Sequence, residues 1–312
     1  MKEELKNKVV LITGGSKGLG YVLAEHLIKE ECKIAICARD ESELENAKDH
    51  LGKDVLTLRC DVSKEEEVNQ LVSDVIKHFG KLDILINNAG VIQVGPMETF
   101  KRSDFETAMD IMYWGIVNTT LAVLPHMKER KDGHIVNVTS IGGKISVPHL
   151  LPYSAAKFAA VGFSEGIAVE LRKDNIFVTT VVPWLMRTGS YVNAFFQRGN
   201  KKEFKLFAFS STAPLLTISA DKAARRIVKA LKERKAFKIV GFQAGLLNEI
   251  HHFFPNLSVK VLGTVSEFIP AEPKKAPLEK GKSISERFDD AEVPGAREVG
   301  KKAQADHQEL RH

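Results

Sequence analysis

The segment Val9-Val10-Leu11-Ile12-Thr13-Gly14-Gly15-Ser16-Lys17-Gly18-Leu19-Gly20 reads as a short apolar strand that runs through a glycine-rich loop into a helix. Four consecutive large apolar residues suit a strand buried on both faces. Glycines at 14, 18 and 20 allow a tight turn and let the backbone approach a diphosphate seated on the N-terminus of the following helix. A glycine loop alone is weak evidence, but one set between a first strand and a first helix is much stronger.

Outward from this segment, apolar β-branched runs alternate with longer helical patterns. Strands are expected at Lys8–Thr13, Lys33–Ala38, Val55–Cys60, Leu82–Asn87, His134–Thr139, Ile176–Val182 and Phe237–Val240. Helices are expected at Gly18–Glu30, Lys64–Phe79, Asp104–Arg130, Pro152–Lys173 and Ala220–Glu233, the last with Ala223, Ile227, Ala230 and Leu231 on its buried stripe. This alternation argues for an α/β, doubly wound (Rossmann) parallel sheet with helices on both faces.

Bulk properties agree. The 312 residues are 44 % hydrophobic, ample for a core, and carry a net charge of +5 with both signs interspersed, so charge gives no reason to expect a nucleic-acid partner. Cys32, Cys37 and Cys60 are odd in number and lack Cys-x-x-Cys spacing, which reads as free thiols in a reducing compartment. The charged start Met1-Lys2-Glu3-Glu4 gives the expectation of no secretory signal, and no apolar run reaches the roughly 18 residues of a membrane span. A cytoplasmic location is the expectation. No metal-binding pattern is apparent, since His251 and His252 are adjacent and point apart on a helix.

The chemistry-bearing pattern is Tyr153-Ser154-Ala155-Ala156-Lys157, with Ser140 upstream. Side chains four apart share a helix face, so the ammonium of Lys157 is expected beside the Tyr153 phenol, lowering its pKa from about 10 toward neutrality. A phenol tuned in this way exchanges protons with an alcohol or carbonyl oxygen.

In order and spacing, Thr13-Gly14-x-x-x-Gly18-x-Gly20, Asn87-Asn88-Ala89-Gly90, Ser140 and Tyr153-x-x-x-Lys157 resemble the short-chain dehydrogenase/reductase family, the short NAD(P)-dependent type, over residues 5–240. The resemblance implies a seven-stranded sheet and an oxidoreductase acting on a small-molecule alcohol or carbonyl substrate. Gly14, Ser16, Lys17, Gly18, Leu19 and Gly20 would form the dinucleotide loop. Asp61 and Val62 would meet the adenine, and Asn88, Ala89 and Gly90 the adenosine ribose. Asn87 would brace the central strands. Pro183 and Thr188 would sit at the nicotinamide, with Thr188 holding its carboxamide. Tyr153 would serve as acid/base, Ser140 would steady the substrate oxygen, and Lys157 would hold the nicotinamide ribose. Homodimers or homotetramers are common in the family, chiefly through the long helices that here carry Trp114 and Tyr153.

Charge speaks to the cofactor. NAD-dependent sites place an acid at the end of the second strand, to bond the ribose 2′-hydroxyl. Here that end reads Cys37-Ala38-Arg39-Asp40. Ala38 stands at the acid's position, and Arg39 and Lys17 offer cations for a 2′-phosphate. NADP(H) is favoured, while Asp40 serves NAD(H) if the register shifts.

Two positions depart from the family pattern. Met112, three residues before Gly115, replaces the usual Asn of the proton relay, and Asn118 points to another face. Trp184 replaces a Gly after Pro183; it narrows the pocket, touches substrate and nicotinamide, or points outward.

The expected division is a Rossmann domain over 1–242 with a lid at 190–216, amphipathic helices over 243–270 broken at Pro255, and a disordered tail over 271–312. Tyr191, Phe195, Phe196, Phe204, Phe207 and Phe209 in the lid either line a pocket for an apolar substrate or pack the lid onto the core. The helices after 243 suit a dimer contact, a pocket cover or a membrane surface.

Overall fold

The computed structural model describes residues 3–198, 200–270, 276–287, 302 and 305–307. Seven strands form one parallel sheet: β1 (Val9–Thr13), β2 (Lys33–Ala38), β3 (Leu56–Arg59), β4 (Ile84–Asn87), β5 (Gly133–Val138), β6 (Ile176–Pro183) and β7 (Phe237–Val240). Their spatial order is β7-β6-β5-β4-β1-β2-β3, with Val10 paired to both Ile34 and Ile84. The chain therefore winds outward from β1 in both directions, and the switch lies between β1 and β4. Ligands bind open α/β sheets in the crevice beyond the strand C-termini at such a point.

Helices α1 (Gly18–Lys29), α2 (Glu41–Leu51), α3 (Glu65–Phe79), α4 (Arg102–Met109), α5 (Gly115–Arg130), α6 (Leu151–Glu170), α7 (Lys201–Thr212) and α8 (Ala220–Lys232) complete the body. The all-apolar strands bury both faces, so two cores form. One joins β1 and β2 to α1 and α8 through Val10, Ile12, Leu23, Ile36 and Ile227. The other joins the opposite face to α3 and α5 through Leu11, Val68, Val75, Val123 and Met127. Local signals set the helix ends: Asp40 caps α2 by accepting from the Ser42 and Glu43 amides, and Gly80, at φ 79°, closes α3 in the left-handed region open to glycine.

The long helix expected over 104–130 is divided. One turn of π-helix, Asp110–Trp114, separates α4 from α5. Backbone dihedrals stay helical there, so the hydrophobic period gives no warning. Of the described residues, no helix is long and apolar enough to cross a membrane.

Beyond β7 come α9 (Phe242–Phe253) and α10 (Pro255–Glu267). They break where Pro255 takes the first helical position, which needs no N–H. The expectation of disorder from residue 271 does not hold for 276–287. Leu278–Lys280 pairs antiparallel with the lid strand Phe195–Gln197, which also pairs with Gln93–Val94. The following α11 (Gly281–Arg287) buries Ile284 among Val94, Ala194, Phe196 and Phe204. One buried isoleucine and three strand pairings anchor a segment whose composition is otherwise polar.

Candidate active site

The glycine loop folds as its composition demands. Gly14 and Gly18 take φ of +62° and +59°. A Cβ on Gly20 would lie 2.1 Å from the Gly14 carbonyl oxygen and 2.6 Å from the Asn88 amide nitrogen. Gly20 thus serves close packing of α1 on the loop, and it does not line the cavity. Thr13 ties loop to turn: its hydroxyl accepts from the Asn88 and Ala89 amides at 3.0 and 3.1 Å. The Asn88 side chain donates back to the Thr13 and Gly14 carbonyls at 3.1 and 3.0 Å.

This loop opens one end of a continuous cavity of ≈ 630 Å³. Its wall includes Gly14, Ser16, Lys17, Gly18, Leu19 and Arg39 from the loop and the end of β2, Asp61, Val62, Asn88, Ala89 and Gly90 from the neighbouring strand ends, and Tyr153, Lys157 and Thr188. Pro183 ends β6, paired with Val240, and is absent from the lining. Volume and walls fit an extended dinucleotide, with left-handed glycines at the α1 N-terminus and polar groups spaced along the trough.

On the same wall, α6 places Tyr153 and Lys157 on one face. Ser140 sits where β5 gives way to a single helical turn, its Oγ accepting from the Gly142 amide at 3.0 Å. The Ser140 hydroxyl bonds the Tyr153 phenol and draws its pKa down, but burial outweighs this and pushes the phenol up. Lys157 does not supply the expected depression. Its Nζ donates to the Val138 carbonyl at 2.9 Å and lies 5.8 Å from the Tyr153 ring centroid. Burial lowers the Lys157 pKa to about 8. Desolvation dominates both groups and favours the neutral form of each.

Behind Tyr153, Met112 is fully buried with Val91, Ala108 and Ala156, against Tyr153 and the lid's Phe195. Its thioether fills the position of the usual relay Asn. Asn118 is engaged elsewhere, donating to the Val62 carbonyl at 3.1 Å. Asn87 braces the strands as expected. It donates to Asn137 at 2.9 Å and accepts from Thr119 at 2.7 Å, and Asn137 continues the buried chain to Ser164.

Of the three placements open to Trp184, the structure has it away from the cavity wall. Its indole N–H donates to the Leu216 carbonyl at 2.6 Å, and its side chain packs against the buried cluster of Ile141, Ile145, Val182 and Ala244.

The loop end holds residues that spacing alone did not reveal. Glu43, on the first turn of α2, pairs with Lys17 at 2.6 Å and accepts from Ser16 Oγ at 3.2 Å. Asn193 accepts from Lys17 at 3.2 Å, and Lys280 lines the wall. The Gly18 N–H donates to the His307 carbonyl at 2.9 Å, so the tail reaches the loop. Asp40 is committed to the α2 cap, its Oδ1 accepting from Ser42 N, Ser42 Oγ and Glu43 N. Arg39 is exposed on the cavity wall. All three cysteines are free. Of the described residues, no group could hold a metal ion.

Residues 8–197 match the model of the family described as short chain dehydrogenase. The chain belongs to the short-chain dehydrogenase/reductase family. This short-chain dehydrogenase/reductase is 32 % identical over 271 residues to the SadH protein of Mycobacterium tuberculosis, covering 85 % of this chain and 98 % of that one. It is 36 % identical over 185 residues to a 3-ketodihydrosphingosine reductase of Bacteroides thetaiotaomicron, covering 59 % and 66 % of the two chains. Among solved structures, a short-chain dehydrogenase from Streptomyces avermitilis superposes with a TM-score of 0.71 at 28 % identity, over 85 % of this chain and 98 % of that one. A 3-ketoacyl-(acyl-carrier-protein) reductase from Brucella melitensis, complexed with NADH, gives 0.66 at 26 % identity, over 76 % and 97 %. The short-chain dehydrogenase/reductase described here is accordingly an NAD(P)-dependent oxidoreductase of CH–OH and C=O groups.

Proposed function

We propose that the protein uses NADP(H) to interconvert an apolar ketone and its secondary alcohol, with Tyr153 as the acid/base. The observation that carries this reading is a single cavity lined by two cations, Lys17 and Arg39, and by Tyr153 with Lys157. When bound, the dinucleotide supplies or accepts the hydride.

The chain's own residues supply the rest. Ser16, Lys17 and Arg39 hold the 2′-phosphate, and the glycine loop with Gly18 and Leu19 takes the diphosphate at the N-terminus of α1. Asp61 and Val62 meet the adenine, Asn88, Ala89 and Gly90 the ribose, and Thr188 with Pro183 behind it the nicotinamide. Ala38 leaves the ribose 2′ position without an acid, and the carboxylate of Asp40 is occupied by its cap. Ser140 donates to the substrate oxygen and steadies its developing charge. The Tyr153 phenol, kept protonated by burial, gives its proton to that oxygen in reduction and is reprotonated from solvent; in oxidation it first loses its proton to solvent, and the phenolate takes the alcohol proton. Lys157 orients the nicotinamide ribose.

Phe195 in the Tyr153 cluster, with Val91, Ile92 and Ile111 on the cavity wall, supports an apolar substrate. Phe196, Phe204 and Phe207 pack the lid. Exposed Trp114, Leu121, Phe158 and Val169 on the π turn, α5 and α6 support a homo-oligomer built through those helices.

Replacing Tyr153 by Phe tests the assignment, with NADPH consumption followed against a panel of apolar ketones. Turnover is expected to fall by roughly a hundredfold or more with NADPH binding intact. Turnover retained in the variant would overturn the role of Tyr153.

A further inference from the structure

A surface helix of a globular protein ordinarily carries one apolar stripe and a polar opposite face. Helices α9 and α10, packed on each other, carry apolar side chains both toward the body and toward solvent. The inner set, Ala244, Leu247 and Leu262, packs with Ile141, Ile145 and Val182. The outer one consists of Phe242, Leu246, Ile250 and Phe253 on α9, and Leu257, Val261, Val265 and Phe268 on α10. These eight side chains are between 38 % and 80 % exposed. The spacings of three and four keep each set on one face. The patch extends past the start of α9, where Gln243 donates to the carbonyl of exposed Leu215 at 3.4 Å. So many exposed large apolar side chains on one helix pair mark an interaction site.

Positive charge borders it. Arg226, Lys229, Lys235 and Lys238 line a cleft of ≈ 360 Å³ together with Phe242 and Gly241. Among the described residues lining that cleft, Glu233 is the one carboxylate, and it is shared by Lys229 at 3.8 Å and Lys235 at 3.0 Å. Partial burial and the neighbouring cations hold the Lys238 pKa below its ordinary value.

We propose that this face docks on the surface of an anionic bilayer, the outer stripes of α9 and α10 entering the headgroup boundary and the cleft cations meeting lipid phosphates. Neither helix can span a bilayer, so the mode is in-plane seating of an amphipathic pair. Charge decides the occupant. Two-fold self-pairing of the patch would bring two cationic clefts onto one interface, where like charges oppose association. An anionic lipid surface neutralises them instead.

Co-sedimentation of the full chain with vesicles tests this, comparing phosphatidylcholine alone with phosphatidylcholine containing phosphatidylglycerol. Binding is expected on the mixed vesicles, weakening as salt rises. The double variant Arg226→Gln with Lys238→Gln should reduce the partition coefficient by roughly tenfold or more. The variant Phe253→Ser with Phe268→Ser, both exposed and outside the core, should abolish binding while the circular dichroism spectrum stays unchanged. Absence of binding to mixed vesicles, or binding indifferent to lipid charge, would overturn the proposal. So would a dimer by light scattering that Phe253→Ser dissolves, since it would make a second copy the occupant.

Discussion

Lys157 and Tyr153 lie one helical turn apart, yet the ammonium of Lys157 bonds the Val138 carbonyl at 2.9 Å and stands 5.8 Å from the centroid of the Tyr153 ring. The pair is therefore set by burial more than by mutual attraction. Each group is held toward its neutral form, the phenol above its ordinary pKa and the amine down to about 8.

That burial has a pH signature. The amine titrates near 8 in the folded protein and near 10.5 unfolded. Below pH 8 Lys157 is charged in both states and the burial penalty is present in full. Between these values the unfolded chain binds more protons, so stability rises with pH, by up to about 3 kcal/mol in total. Lys157→Met removes the penalty and with it this rise. Urea denaturation of both proteins at about pH 7 and about pH 10 checks it. The stability of the wild type relative to the variant should increase with pH.

Glu43 holds Lys17 and Ser16 at 2.6 and 3.2 Å, so under the proposed NADP(H) reading it would compete with the 2′-phosphate for both. Glu43→Gln keeps the shape and removes the charge. NADPH should bind the variant roughly tenfold more tightly, with NADH changed by less than about twofold. Calorimetric titration checks both. Weaker NADPH binding in the variant would mean that Glu43 chiefly positions the cations.

Ile284 is fully buried against the lid, and the Gly281 amide donates to the Ala194 carbonyl at 2.8 Å. Ile284→Ala should weaken tail docking by about 3 kcal/mol. Hydrogen exchange at the amides of Phe195–Gln197 should accelerate while β1, β4 and β5 stay protected. Unchanged exchange in the lid would show that the tail adds little to its order.

The order of strands and helices was legible because parallel strands buried on both faces must be nearly all apolar, and residues such as Val9–Ile12 and Leu85–Ile86 leave little choice. The cavity was legible where spacing is local: the glycine loop, Asn88–Gly90, and Tyr153 with Lys157. Three features were not. The π turn over Asp110–Trp114 keeps helical dihedrals and hence a helical pattern. Glu43 reads as an ordinary first-turn acid until the fold carries α2 to the loop. The anchoring of residues 278–287 rests on one isoleucine in a polar stretch, too little for composition to register. Trp184 was visible as an oddity, but its placement rests on packing against Ile141, Ile145 and Ala244, distant in sequence, which no local pattern encodes.

The most direct test of the account is equilibrium titration of the wild-type protein with NADPH and with NADH, followed by protein and nicotinamide fluorescence. The proposed assignment of Lys17 and Arg39 on the cavity wall to the 2′-phosphate predicts NADPH binding tighter by roughly tenfold or more, a preference that Arg39→Ala should erase. Equal or tighter binding of NADH would contradict the assignment of Lys17 and Arg39 to the 2′-phosphate.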